Sequence, residues 1–230
     1  MAVYSAQHRY IFFANPQTAS KAIALTLREC LGGVALPDRE ITRNGKTLAR
    51  LHHTTYSQIL AAGLLTEAQL AELFKVTCVR NPFDQLVSKY IKYCERFGGD
   101  PAKFPWLVDE APAGEHSFPQ WLRWLGRRYE EIDKLRNGPL EFLAHADHVI
   151  RFEALQDGFD EFTRRIGIAQ PVPIIVHNIT KGRAEAGEPA APVVKKKKKN
   201  YTEYYDDASV AVVERLYAPI LERFGYRFAG

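Results

Sequence analysis

Short apolar runs alternate along this chain with stretches whose apolar residues recur every three to four positions. Tyr10-Ile11-Phe12-Phe13-Ala14 and the run Phe74, Val76, Cys78 and Val79 are compact and β-prone, as expected of strands buried on both faces. A third such run spans Ala146 to Phe152. Each leads into a helical pattern. The first is followed by Ala22, Ile23, Leu25, Leu27 and Leu31, closed by Gly32-Gly33; the second by Leu86, Val87, Tyr90, Ile91 and Tyr93; the third by Phe159, Phe162 and Ile166, closed by Gly167. Trp121, Leu122, Trp124, Leu125 and Tyr129 predict a further helix, its aromatic stripe in the core and Arg123, Arg127 and Arg128 on its polar side. Tyr204 to Phe228 predicts a last one, bent near Pro219 and ended by Gly225. Strands alternating with helices predict an α/β fold: a three-layer α/β/α arrangement with a central parallel sheet.

The chain of 230 residues suffices for one core, so a single domain over 1–230 is expected. Two segments break the pattern. Gly98-Gly99, several prolines and small residues predict an irregular insertion at about 98–118, and Pro171 to Asn200 contains a basic loop at about 181–200 with five lysines, Lys195 to Lys199. Like charges repel, so the lysine run reads as a solvated loop, with a mobile lid over an anion as its functional alternative.

Composition narrows the classes. A net charge of +4 favours anionic ligands without indicating nucleic acid. The three cysteines, Cys30, Cys78 and Cys94, have no metal-site spacing and suit reduced, mostly buried thiols. No run is long enough to span a membrane and the first residues lack the signal-peptide pattern, so the chain reads as cytoplasmic. His145 and His148 lack a completing ligand set, and no metal is expected.

Two strand-to-helix junctions carry the candidate chemistry. At the second, Arg80 follows the strand, Asn81 can cap the next helix, Pro82 suits its first position, and Ser88 lies one to two turns in. Free N–H groups at such a helix start, with a guanidinium fork and a hydroxyl, form an oxyanion site. At the first junction, the loop Pro16-Gln17-Thr18-Ala19-Ser20-Lys21 offers backbone N–H groups, two hydroxyls and an ammonium to one phosphate. It contains no GxxxxGK, which weakens a kinase or GTPase reading. Between the junctions, His52-His53 precedes a helix, and an imidazole can take a proton near neutral pH. Glu153 reads as a helix cap or an arginine partner.

With these pieces placed, the chain resembles the sulfotransferases that use 3′-phosphoadenosine 5′-phosphosulfate, especially the carbohydrate-type branch, the bacterial and Golgi family 2-like proteins. Val79-Arg80-Asn81-Pro82-Phe83-Asp84 with Leu86-Val87-Ser88 and Tyr90 is similar to that family's 3′-phosphate motif. Pro16 to Lys21 is similar to its 5′-phosphosulfate loop, PKTxxT/S. His53-Thr54-Thr55 through Ile59, Ile150 to Leu155, Tyr201 to Tyr205 and Phe224-Gly225-Tyr226 match in order. The resemblance implies a P-loop NTPase-like sulfotransferase fold, with Arg80 and Ser88 on the 3′-phosphate and His53 as the base. It implies a sulfonucleotide donor, 3′,5′-adenosine bisphosphate as product, and an acceptor hydroxyl or amine, a carbohydrate being one candidate, with no nucleic-acid partner.

The loop departs from the pattern at two places: Gln17 stands where the family has lysine, and Lys21 where it has threonine or serine. The family's lysine neutralises charge building on the leaving phosphate oxygen, so its loss should harm catalysis more than binding. Three outcomes stay open: Lys21 reaches back, Lys181 substitutes, or the chain is a catalytically weakened nucleotide-binding homologue.

Overall fold

The computed structural model describes residues 2–97, 117–131, 140–175 and 200–229. A five-stranded sheet has the order β3-β1-β2-β6-β7, formed by β1 (Ala2–Ser5), β2 (Tyr10–Phe13), β3 (Val34–Leu36), β6 (Phe74–Val79) and β7 (His148–Arg151). β2, β6 and β7 run parallel, as expected, with Phe12 beside Val76 and Cys78 beside Ile150. The sheet is not wholly parallel: β1 pairs antiparallel with both β2 and β3. β1 stands outside the strand–helix alternation because a tight turn, and not a helix, joins it to β2. A separate hairpin, β4 (Ile41–Arg43) and β5 (Lys46–Ala49), lies in the chain between β3 and His53.

Alternation within β2 explains the layers. Tyr10 and Phe12 join a core with α1 (Ser20–Cys30) and α6 (Leu155–Arg165), through Ile23, Leu27, Phe159 and Phe162. Ile11 and Phe13 face the other way. They pack on Ile59 of α2 (Tyr56–Ala61), Leu70 of α3 (Glu67–Ala71) and Phe142 from a helical turn at 140–144. The third core joins α4 (Pro82–Phe97), α5 (Phe118–Glu131) and α7 (Asp207–Phe224) through Phe83, Leu86, Trp121, Leu122, Val213 and Tyr217. Trp121, Leu122, Trp124 and Leu125 of α5 are therefore core, as the spacing predicts; the Tyr129 side chain lies outside the described residues. Tyr201–Tyr204 forms a separate 3₁₀ turn instead of extending α7, which Asp206 caps through Ser209.

Cys78 is buried and Cys94 half-buried, but Cys30 is exposed at the end of α1, contrary to the expectation of mostly buried thiols. Among the described residues no cluster of metal-ligating side chains forms, and no helix is long and apolar enough to cross a membrane. His148 bonds the Gly158 carbonyl and His145 stacks on Tyr56. Residues 98–116, Lys181 and the lysine run lie outside the described residues.

Gly33 holds β3 close under β1 and β2. A Cβ there would lie 2.6 Å from Val3 Cγ1, 2.7 Å from the Tyr10 hydroxyl and 3.0 Å from the Leu27 carbonyl, whose backbone cannot yield. Gly33→Ala is expected to cost about 1–3 kcal/mol. Chemical denaturation checks it; an unchanged midpoint contradicts the close packing.

Candidate active site

The parallel strands end at the same edge of the sheet, so the β2–α1 loop and the start of α4 are neighbours, as ligand sites in open α/β sheets require. Asn15 Nδ2 donates to the Cys78 carbonyl at 2.9 Å, joining the loop to β6. Thr18 Oγ1 and Ser20 Oγ both donate to the Asn15 carbonyl, at 2.8 and 2.6 Å, and both residues are buried. Their protons thus close the turn and do not face a phosphate, contrary to the expectation from the sequence. Gln17 and Ala19 take left-handed backbone conformations, with φ of 63° and 57°. Two carbonyls turn towards α4: Pro16 O accepts from Gln85 Nε2 at 2.7 Å, and Gln17 O from Arg80 Nη1 at 3.1 Å. The N–H groups from Gln17 to Lys21 have no acceptor among the described residues. Such a nest at a helix start suits an anion.

Arg80 is almost fully buried at the carboxyl end of β6. Its Nε and Nη2 donate to Asp84 Oδ2 at 2.8 and 2.5 Å, and its guanidinium lies 4.0 Å over the Phe152 ring. Three of the five guanidinium N–H groups are therefore used, leaving two for a ligand oxyanion. Asn81 caps α4 as its sequence position predicts, its Oδ1 accepting from Phe83 N at 3.1 Å ahead of Pro82. Among the described residues Glu153 neither caps its own helix nor holds an arginine. Its carboxylate accepts from Asn81 N at 2.7 Å and from the Tyr226 hydroxyl at 2.8 Å, bracing the Arg80 junction from behind. Arg151 bonds the Phe224 carbonyl at 2.9 Å, and Tyr205 bonds the Phe83 carbonyl at 2.8 Å. The stretches around Arg151, Tyr205 and Tyr226 thus converge on the first turn of α4. Ser88, half-buried on α4, makes no hydrogen bond among the described residues.

His53 lies beside the loop. Its Nδ1 is 2.7 Å from the Ala14 carbonyl at the end of β2. A carbonyl only accepts, so Nδ1 carries the proton and Nε2 keeps a free lone pair. Thr55, two residues on, caps α2 in a reciprocal box with Gln58, while buried Ile59 anchors that helix. This explains the spacing from His53 to Ile59. Desolvation lowers the His53 pKa; the bond to Ala14 opposes it, and the His52 and Lys92 charges lower it further.

Lys92 escaped sequence reasoning. It stands one turn beyond Ser88, and the signal was available in the i, i+4 spacing. Desolvation lowers its pKa, and Arg80 and Lys21 add to that against an opposing Glu95. Lys21 itself is exposed in the first turn of α1.

Residues 38–227, most of the chain, match the model of the Sulfotransferase family. The chain belongs to the sulfotransferase family. Sulfuryl transfer in general comes with that membership, and the central sheet flanked by helices is consistent with a sulfotransferase fold. The match begins after the Pro16 to Lys21 loop and does not cover it. Comparison with curated proteins and with solved structures gave no match.

Proposed function

We propose that this chain, acting as one domain, moves the sulfuryl group of 3′-phosphoadenosine 5′-phosphosulfate to a hydroxyl of an acceptor, a carbohydrate being one candidate. The observation that carries this reading is the 3.1 Å bond from Arg80 Nη1 to Gln17 O. It joins the two anion-seeking junctions at a separation one doubly phosphorylated adenosine can bridge. The residues fit such a donor: unused N–H groups of the loop for its 5′ end, and the two remaining guanidinium N–H groups with Ser88 for its 3′-phosphate. Bound there, the sulfonucleotide supplies a sulfuryl group on a good leaving phosphate. His53 Nε2 takes the proton of the acceptor hydroxyl while that oxygen bonds sulfur and the bond to the phosphate breaks. Its fixed tautomer and lowered pKa both keep the lone pair available.

A second reading, a homologue that binds the nucleotide but transfers weakly, is favoured by Gln17. An amide there supplies no charge, and its buried Oε1 has no hydrogen-bond partner among the described residues. Incubation with the labelled sulfonucleotide and a panel of sugar, phenol and lipid alcohols separates the two. Labelled product supports transfer; nucleotide binding without product on any acceptor favours the second reading.

A further inference from the structure

The backbone of His53 has a φ of 57°, in the left-handed region that a residue with a Cβ avoids. Such a conformation persists only where its surroundings hold it. Resting on the reading of His53 as the base, we propose that Glu141 is a positioning residue for it, its carboxylate ending a chain of hydroxyls that locks the turn carrying the imidazole.

The directions of the hydrogen bonds follow from counting protons. Ser57 Oγ bonds Glu141 Oε1, and a carboxylate only accepts, so the Ser57 proton goes to Glu141. Ser57 Oγ also lies 3.2 Å from Thr55 Oγ1, and with its own proton engaged it accepts there. Thr55 therefore donates to Ser57 and keeps a lone pair for Gln58 N at 3.4 Å, the bond that caps α2. Donors run from Thr55 through Ser57 to the carboxylate, each bond polarising the next. Without Glu141 both hydroxyls are free to turn. Only the long bonds of the Thr55 and Gln58 box, 3.3 and 3.4 Å, then hold the start of α2.

A second contact ties the same two segments together. The Tyr56 ring stacks on His145 with 3.9 Å between centroids and 14° between planes. His145 stands four residues beyond Glu141, so one short segment grips Tyr56 and Ser57 side by side. Tyr56 also meets the Phe13 ring, at 6.3 Å, and Ala14, the next residue, holds His53 Nδ1. Between these fixed points Thr54 Oγ1 donates to the Arg50 carbonyl at 2.5 Å, and Thr54 and Thr55 are both buried. The imidazole is thus held by β2 and its backbone by the first turn of α2, which Glu141 and His145 keep in place. Glu141 is not among the charges that move the His53 pKa, so it acts on the position of the ring and not on its charge.

The test compares wild type with Glu141→Gln, Glu141→Ala, Ser57→Ala and the double variant Ser57→Ala, Glu141→Ala. Thermal unfolding, calorimetry with 3′,5′-adenosine bisphosphate, nitrogen nuclear magnetic resonance of the His53 ring and transfer rates are read on each. Glu141→Ala and Ser57→Ala should each lower turnover of the folded protein about 10- to 100-fold and leave bisphosphate affinity unchanged. Each should also replace the single Nδ1-protonated form of His53 by a mixture of tautomers. Glu141→Gln should stay within about threefold of wild type, because an amide oxygen accepts from Ser57 as a carboxylate does. The double variant should be no worse than either single one, since both break one chain. Ser57 is exposed, so Ser57→Ala tests the same chain if Glu141→Ala does not fold. Wild-type tautomer and turnover in Glu141→Ala or Ser57→Ala, or Glu141→Gln as impaired as Glu141→Ala, overturns the proposal. Wild-type protein that transfers no sulfuryl group overturns His53 as the base, while the tautomer comparison still decides whether Glu141 positions the ring, which separates the two failures.

Discussion

Arg80→Ala is expected to lower the affinity for 3′,5′-adenosine bisphosphate by about 100-fold or more, while affinity for adenosine 5′-monophosphate falls much less. Hydrogen bonds to charged groups contribute about 1.5–3 kcal/mol each, and the guanidinium retains two N–H groups for a phosphate. The same change releases the Gln17 carbonyl and the Phe152 ring and leaves Asp84, 29% exposed, without its partner. Partial exposure of Asp84 discounts the penalty of breaking a buried pair, so the stability loss is about 2 kcal/mol. The ratio of the two nucleotide affinities distinguishes the roles. A merely structural arginine would lower both affinities alike, and that result contradicts the assignment.

His53→Ala carries the second large effect: turnover falls about 10²- to 10⁴-fold with bisphosphate affinity almost unchanged. Calorimetry and steady-state rates on one preparation check it, and a weakened bisphosphate affinity with normal turnover contradicts it. The pH dependence follows from the direction of the shift. Because the fold lowers the His53 pKa, the neutral base persists at pH values where an ordinary histidine, near 6.5, is already half protonated. Turnover should therefore be flat near neutral pH and fall only as the pH drops through a value below 6.5. A rate that falls with a midpoint above the ordinary value contradicts the desolvated, cation-flanked setting.

Much of this arrangement is legible in the chain. The three parallel strands declare themselves because each is a short apolar run followed by a change to helical spacing. Asn81 and Pro82 mark the start of α4 through local chemistry, and local rules hold wherever the helix packs. What the spacing misses depends on the third dimension. β1 is four residues long and its partner assignment follows from a turn, so its antiparallel direction carries no periodic signal. Thr18 and Ser20 look like phosphate donors until the fold of the loop brings the Asn15 carbonyl within reach of both. Glu153 lies 72 residues from Asn81, a separation at which no spacing rule operates. Lys92 is the opposite case, since its place on the Ser88 face is readable from helical period alone.

The central claim is that two junctions of one sheet grip opposite ends of a single adenosine bisphosphate. Its most direct measurement is a calorimetric titration of the unaltered protein with 3′,5′-adenosine bisphosphate and, in parallel, with adenosine 5′-monophosphate. The account predicts one site per chain and at least about 100-fold tighter binding of the bisphosphate, the contribution of a second gripped phosphate. Equal affinities, or no heat from either nucleotide, would contradict it.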